Sequence, residues 1–135
     1  MSSKRKGTRY ERELFHMFWD NNWVSLRTAG SGSTPMPAPD LIASNSKKIL
    51  AIECKAINSS RKYFPQKEIN ELNEFSEKFG ALPYIAIRFD RKGWFFVHTN
   101  DLGFGKTNYY ISFDLAQEKG LKFEEIIGKY KQLKL

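Results

Sequence analysis

The chain has 135 residues, 41% of them hydrophobic, enough for one domain with a real core and too few for two. Its apolar runs are short, so no membrane span is expected. The basic start, Met1 to Gly7, leads into no apolar signal segment, so secretion is not expected and a cytoplasmic location is. Lysine and arginine number 22 against 15 acids, and the formal net charge of +7 favours a polyanionic partner such as nucleic acid.

Residues 1–7 read as a basic, flexible arm on a single domain spanning 1–135. From Arg9 to about Asn22 the pattern predicts a helix, with Leu14, Phe15, Phe18 and Trp19 on an apolar face and the Asn21-Asn22 pair as its stop. Trp23 to Arg27 reads as a short strand. Residues 28–39 carry Gly30, Gly32, Pro35, Pro37 and Pro39 among serines and form a long loop. Asp40 then opens a strand, Asn45 to Lys48 make a turn, and Ile49 to Lys55 read as a buried strand ending in charged groups. Asn58 to Tyr63 reads as a polar loop. Pro65 to Lys78 suits a helix with Ile69, Leu72 and Phe75 on one face, opened by Pro65 and ended by Gly80. Pro83 to Phe89 and Gly93 to His98 read as strands around the turn Asp90-Arg91-Lys92. Tyr109 to Phe113 is a further strand, and Phe123 to Leu133 has helical spacing weakened by Gly128. This order implies an α/β fold, a mixed sheet flanked by helices.

The only cysteine, Cys54, has no disulfide partner in the chain and reads as a small buried hydrophobe. No cluster of cysteines and histidines suits structural zinc. The chemistry lies between Pro39 and Lys55. Residues two apart on a strand share a side, so Glu53 and Lys55 face one way and Cys54 the other. A hairpin around Asn45 and Ser46 would bring Asp40 near Glu53. Two carboxylates are hard oxygen ligands for Mg²⁺, which can stabilise phosphorane charge and lower the pKa of an attacking water. A lysine beside them can orient that water or neutralise a phosphate oxygen. An acid two residues before a lysine at a strand end is by itself often just solvated. Here the run Ile49 to Ile52 is apolar throughout, and a restrained Pro39-Asp40 step precedes the matching strand.

Pro39-Asp40 followed by Glu53-Cys54-Lys55 resembles the PD-(D/E)xK nuclease motif. With Lys6-Gly7, then Glu11-Arg12, then Arg27 and the glycine-serine loop, the chain is similar to the archaeal Holliday junction resolvases over nearly its whole length. The resemblance implies a restriction-endonuclease-like core and a structure-selective endonuclease that makes paired symmetric cuts in four-way DNA junctions. It implies Glu11, Asp40 and Glu53 as metal-binding acids and Lys55 as the catalytic lysine. It places Arg12 and Arg27 near the scissile phosphate and a functional serine at Ser31 or Ser33. The helix glutamine of the family falls at Gln66 or Glu68. The implied cofactor is Mg²⁺, with Mn²⁺ able to substitute. The implied assembly is a homodimer with junction DNA, and the family also admits a DNA-sliding clamp as a partner.

A junction is a shape, so its reading should rest on phosphates and geometry. Lys4, Arg5, Lys6 and Arg9, the loop residues Gly30, Ser31, Gly32 and Ser33, and the cations Lys47, Lys48, Arg61, Lys62 and Lys67 are the candidate DNA contacts. For many of these lysines ordinary solvation is the competing explanation. His16 reads as structural. Eleven phenylalanines and three tryptophans exceed what one modest core readily buries. The helix around Leu72, Phe75 and Phe79 and the strand around Trp94 and Phe96 are therefore candidate interface contributors. The competing functions are a related nuclease acting on duplex, nicked or damaged DNA, a non-cleaving architectural junction binder, and a basic scaffold protein. The last leaves Asp40, Glu53 and Lys55 without a purpose.

Overall fold

A computed structural model describes residues 3–28 and 36–129. The first helix, α1, runs Ser3–Trp19. It takes in Ser3 to Gly7, which the sequence reading set apart as an arm; lysine and arginine are good helix formers, and the helix extends through them. It stops where Asn22 turns to a φ of 66°, a conformation asparagine tolerates better than most residues.

The main sheet is built from β1 (Val24–Arg27), β2 (Leu41–Ser44), β3 (Ile49–Ile57), β5 (Leu82–Phe89) and β6 (Gly93–His98), in the order β1-β2-β3-β5-β6. Strands β3 and β5 are parallel and every other neighbouring pair is antiparallel, so the sheet is mixed as expected. The β2–β3 hairpin turns at Asn45, whose Oδ1 accepts from the N–H groups of Lys47 and Lys48 at 3.0 and 2.8 Å. The adjacent Ser46 takes a φ of 78°. That turn sets the register Ser44↔Ile49 through Leu41↔Ile52.

Both faces of the sheet are covered. On one face Leu14 and Phe18 of α1 pack with Leu41, Leu50, Ile52 and Phe96 and with Phe123 and Ile126 of α4 (Phe123–Ile126). Phe18 is wholly buried, and its truncation to alanine would cost about 3–5 kcal/mol. On the other face Ile69 and Leu72 of α2 (Gln66–Phe79) and Ala116 of α3 (Phe113–Lys119) pack with Ala51, Ile85, Ile87 and Val97. Pro65 precedes α2, and Gly80 ends it in the left-handed conformation with φ 83°.

Four expectations are corrected. Arg61 to Tyr63 are not loop but part of β4 (Arg61–Phe64), which pairs with β8 (Tyr109–Ser112), itself paired with β7 (Gly103–Phe104), in a second sheet ordered β4-β8-β7. Its inner residues Phe64 and Ile111 join the α2-side core. Helix α3 begins at Phe113, the last residue of the strand expected over Tyr109 to Phe113, capped by the Ser112 hydroxyl, which accepts from the Leu115 N–H at 3.1 Å. The tail helix is short: Gly128 takes a φ of 79° two residues after α4, and residues 130–135 lie outside the described residues. Trp94 and Phe96 are no interface surface, because α1 and α4 cover that face and bury both.

Candidate active site

The hairpin delivers the two motif acids to one place. One step past the Leu41↔Ile52 pair, Asp40 comes level with Glu53. The Asp40 Oδ2 atom accepts from the Cys54 N–H at 2.9 Å, which fixes its carboxylate against β3. Glu53 and Lys55 share a side with Ala51, toward α2, while Cys54 packs among the α1-side residues. Cys54 is half-buried, and burial, with the carboxylates of Asp40, Glu11 and Glu53, pushes its thiol well up, so it stays protonated.

Burial and then the neighbouring charge of Asp40 push the Glu53 carboxyl up to about 9, with Lys55 opposing; the protonated acid shares a hydrogen bond with Asp40. Two carboxylates held this close share a proton when no cation stands between them. Glu11 reaches the same place from α1, and burial and Asp40 raise its pKa as well. Arg27, at the end of β1, holds Glu11 through Nη2 at 3.7 Å. The Arg27 Nε is buried with no partner of its own.

Lys55 is held from the opposite side. Its Nζ lies 3.1 Å from Glu68 Oε1, in the first turn of α2. Burial works against its charge, but Glu68, Glu53 and Asp40 together outweigh that and raise its pKa, so the amine is cationic. Glu68 thus occupies the helix position opposite the lysine. Gln66 is exposed and donates instead to the Thr107 carbonyl at 2.8 Å, tying the β7–β8 turn to the start of α2.

Glu11, Arg27, Asp40, Glu53 and Lys55 are therefore gathered at one end of the main sheet, with Glu68 added from α2. Among the described residues no three of His, Cys, Asp and Glu stand close enough to cage an ion. Mg²⁺ does not need such a cage, since it keeps waters and takes only one or two carboxylates. A proton-sharing pair of hard oxygen donors beside a third acid suits a divalent cation.

Not every named residue comes to this place. Arg12 is exposed on α1, and Arg9 is exposed with its guanidinium 5.5 Å from the Tyr10 ring. Lys4, Arg5 and Lys6 lie in the first turns of α1. Lys47 and Lys48 sit at the turn end of the hairpin, about 17 Å of strand from Glu53 at roughly 3.3 Å per residue. Arg61 is exposed and Lys62 half-buried on β4, while Lys67 is exposed and paired with Glu71 at 3.9 Å. Gly30, Ser31, Gly32 and Ser33 lie outside the described residues. His16 is exposed, edge-on to Phe15. Two supports escaped the sequence reading. Thr28 closes the base of the loop: its hydroxyl donates to the Pro39 carbonyl at 2.7 Å and its N–H to that of Asp40 at 3.1 Å. Glu13 fixes α1 to the sheet by accepting from the Trp94 indole at 3.0 Å and pairing with Arg88 at 3.6 Å. A threonine at a loop edge was the one legible signal for the first; nothing local announced the second.

Comparison with known proteins gives the family and the fold. Residues 2–135 match the family model for "Archaeal holliday junction resolvase (hjc)". The crossover junction endodeoxyribonuclease Hjc of Archaeoglobus fulgidus is 36% identical over 129 residues, covering 96% of this chain and 94% of that protein. The Hjc of Methanocaldococcus jannaschii is 34% identical over 131 residues, covering 97% and 93%. The crystal structure of the A. fulgidus Hjc, a Holliday junction resolvase, superposes with a TM-score of 0.85 at 34% identity, covering 90% of this chain and all of that one. The mixed sheet with its flanking helices is thus the nuclease fold of that structure, and the chain belongs to the archaeal Holliday junction resolvase family of crossover junction endonucleases.

Proposed function

We propose that this chain cuts four-way DNA junctions in paired, symmetric, Mg²⁺-dependent phosphodiester hydrolysis. The observation that carries the reading is the convergence of Glu11, Asp40, Glu53 and Lys55, from α1, β2 and β3, at one sheet end. Asp40 and Glu53 would hold the ion, with Glu11 beside them. When bound, the ion supplies charge stabilisation and an acidified water. Asp40 is held ready for this by the Cys54 N–H. Lys55, kept cationic and aimed by Glu68, neutralises a non-bridging phosphate oxygen or orients the attacking water. A water oxygen bonds to phosphorus as the bond from phosphorus to the departing sugar oxygen breaks; the water proton goes to solvent and the departing oxygen takes up a proton from solvent. Arg27, beside Glu11, would contact the phosphate, and Arg12 would meet the DNA backbone farther out on α1; the family's loop serine, Ser31 or Ser33, lies outside the described residues.

Cations around the site would grip the backbone. Lys4, Arg5 and Lys6 bring only positive charge to the start of α1, a helix end that already favours anions. Two symmetric cuts require two sites, and a homodimer supplies them. The exposed apolar residues Val24, Leu26, Met36, Phe79 and Leu82 support one. Val24 and Leu26 point away from α1, since Ser25 between them is buried and donates to the Phe15 carbonyl. Phe75 and Phe79, stacked at 5.2 Å, line a groove of about 430 Å³ with Met36 and Pro37. No helix among the described residues is long and apolar enough to cross a membrane, and we place the enzyme in the cytoplasm with its DNA.

The test is cleavage of labelled four-way junction, linear duplex and nicked duplex, with Mg²⁺ and with EDTA, beside Asp40→Asn. Paired symmetric nicks on the junction alone, lost in EDTA and in the variant, are the expected result. Equal cutting of all three DNAs would make it a general nuclease. Tight junction binding with no metal-dependent cutting would make it an architectural protein.

A further inference from the structure

The second sheet has an outer face that the active site does not use. Its register places Tyr63 opposite Tyr110 and Arg61 opposite Ser112, with Gly103 on the far side of Tyr110. The alternate residues Phe64 and Ile111 point into the core, so Arg61, Tyr63 and Tyr110 face outward. Tyr110 lies flat across Gly103: a Cβ at that position would run into the tyrosine ring, so β7 gives up a side chain to seat it. The Arg61 guanidinium stacks over the Tyr110 ring at 4.5 Å from its centroid and donates from Nη1 to the Tyr63 hydroxyl at 3.4 Å. Tyr63 remains 53% exposed.

A cross-strand tyrosine pair alone would be ordinary sheet stabilisation. The arginine distinguishes this one. Among the described residues every ion pair is made by other groups, and no carboxylate neutralises Arg61. The result is an exposed π surface made of a guanidinium and a phenol ring, carrying an uncompensated positive charge on a chain of net charge +7. The surface is also tied through the chain to the active site. Strand β4 runs through Phe64 and Pro65 into the first turn of α2, where Glu68 holds Lys55, and Gln66 ties the β7–β8 turn to the same turn of helix.

We propose that Arg61, Tyr63 and Tyr110 form a stacking platform for an unstacked base of the DNA substrate. Bases within a duplex have both π faces covered by their neighbours. A base beside a branch point lacks a neighbour on one side, and its exposed face can stack on a phenol ring while its phosphate meets the guanidinium. The platform rests on the junction-cutting reading above and adds to it a contact that the interior of a linear duplex does not offer.

The test uses the whole chain in EDTA, titrated against single-strand, linear-duplex and four-way-junction DNAs that each carry one 2-aminopurine, placed in the junction at the branch nucleotide. The Tyr63→Leu variant is expected to bind the single strand at least about fivefold more weakly and to lose the fluorescence change at the branch, with duplex affinity kept within about twofold. Tyr63→Phe keeps the ring and should restore both. An equal loss on all three DNAs, no loss on the single strand, or no rescue by phenylalanine overturns the platform. Cutting of the junction by wild-type protein with Mg²⁺ is measured in parallel. Intact cutting with no ring effect removes the platform alone, whereas a ring effect without wild-type cutting removes the resolvase reading alone.

Discussion

Lys55 and Glu68 face each other at 3.1 Å across the gap between β3 and α2, each side chain about a third exposed. An ion pair this open contributes little to stability, within about 1 kcal/mol. Its effect is on where the amine points. Glu68→Gln keeps a side-chain oxygen that can accept from Lys55, and Glu68→Ala keeps none. Single-turnover junction cleavage should fall about tenfold or more in the alanine variant and much less in the glutamine variant. Both proteins should melt within a few degrees of wild type. Equal rates for the two variants would show that Lys55 needs no partner.

The proton held by Glu53 makes stability depend on pH. Its folded pKa, about 9, lies above the ordinary value of 4.5. The stabilisation from this proton is complete below about 4.5 and is lost as pH rises toward 9. Metal-free protein should therefore lose melting temperature across that window, by several degrees. Added Mg²⁺ should offset the loss most at high pH, where no proton competes with it. Glu53→Gln should flatten both effects. A melting profile in EDTA that is level from pH 5 to 9 would contradict this account.

Asp40→Asn separates function from stability. The amide oxygen can still accept from the Cys54 N–H, so the fold is kept, while the charge that raises Glu53 and Glu11 disappears. Cleavage should drop by at least about a hundredfold. Melting temperature in EDTA should stay within a few degrees of wild type, because the amide keeps the Cys54 contact and can still pair with Glu53. A large fall in melting temperature would mean that Asp40 is chiefly structural.

Phe79 is half exposed beside the groove formed by Phe75, Met36 and Pro37. If this face joins two copies, Phe79→Asp should weaken the dimer by at least about tenfold, read by light scattering over a dilution series. At concentrations where the variant is monomeric, junctions should carry single nicks instead of paired ones. An unchanged dimer constant would move the interface elsewhere.

Much of the site was legible because its signals were local. Asp40, the turn at Asn45 and the pair Glu53 and Lys55 lie on one hairpin, so strand alternation and a turn residue were enough to bring them together. The parts that escaped were set by distant partners. Strand β4 read as loop because its outer face carries Arg61 and Tyr63, and its pairing partner, β8, arrives some fifty residues later. Trp94 and Phe96 looked like surplus aromatic surface until α4, near the chain's end, covered them. That Glu68 rather than Gln66 faces Lys55 depends on which face of α2 meets β3, which packing decides and spacing does not.

The turn at Asn45 touches no catalytic group, and its exposed lysines make it look like the freest part of the surface. Yet it works as a ruler. A single residue added there would slide β2 along β3 by one place, turning Leu41 from the α1-side core toward the α2 side and Asp40 into the α1-side core. The thirteen-residue interval between the two acids is therefore not a spacer that evolution can lengthen at will. Only changes that restore the strand register keep Asp40 level with Glu53, so a turn outside the acid cluster sets where the two carboxylates meet.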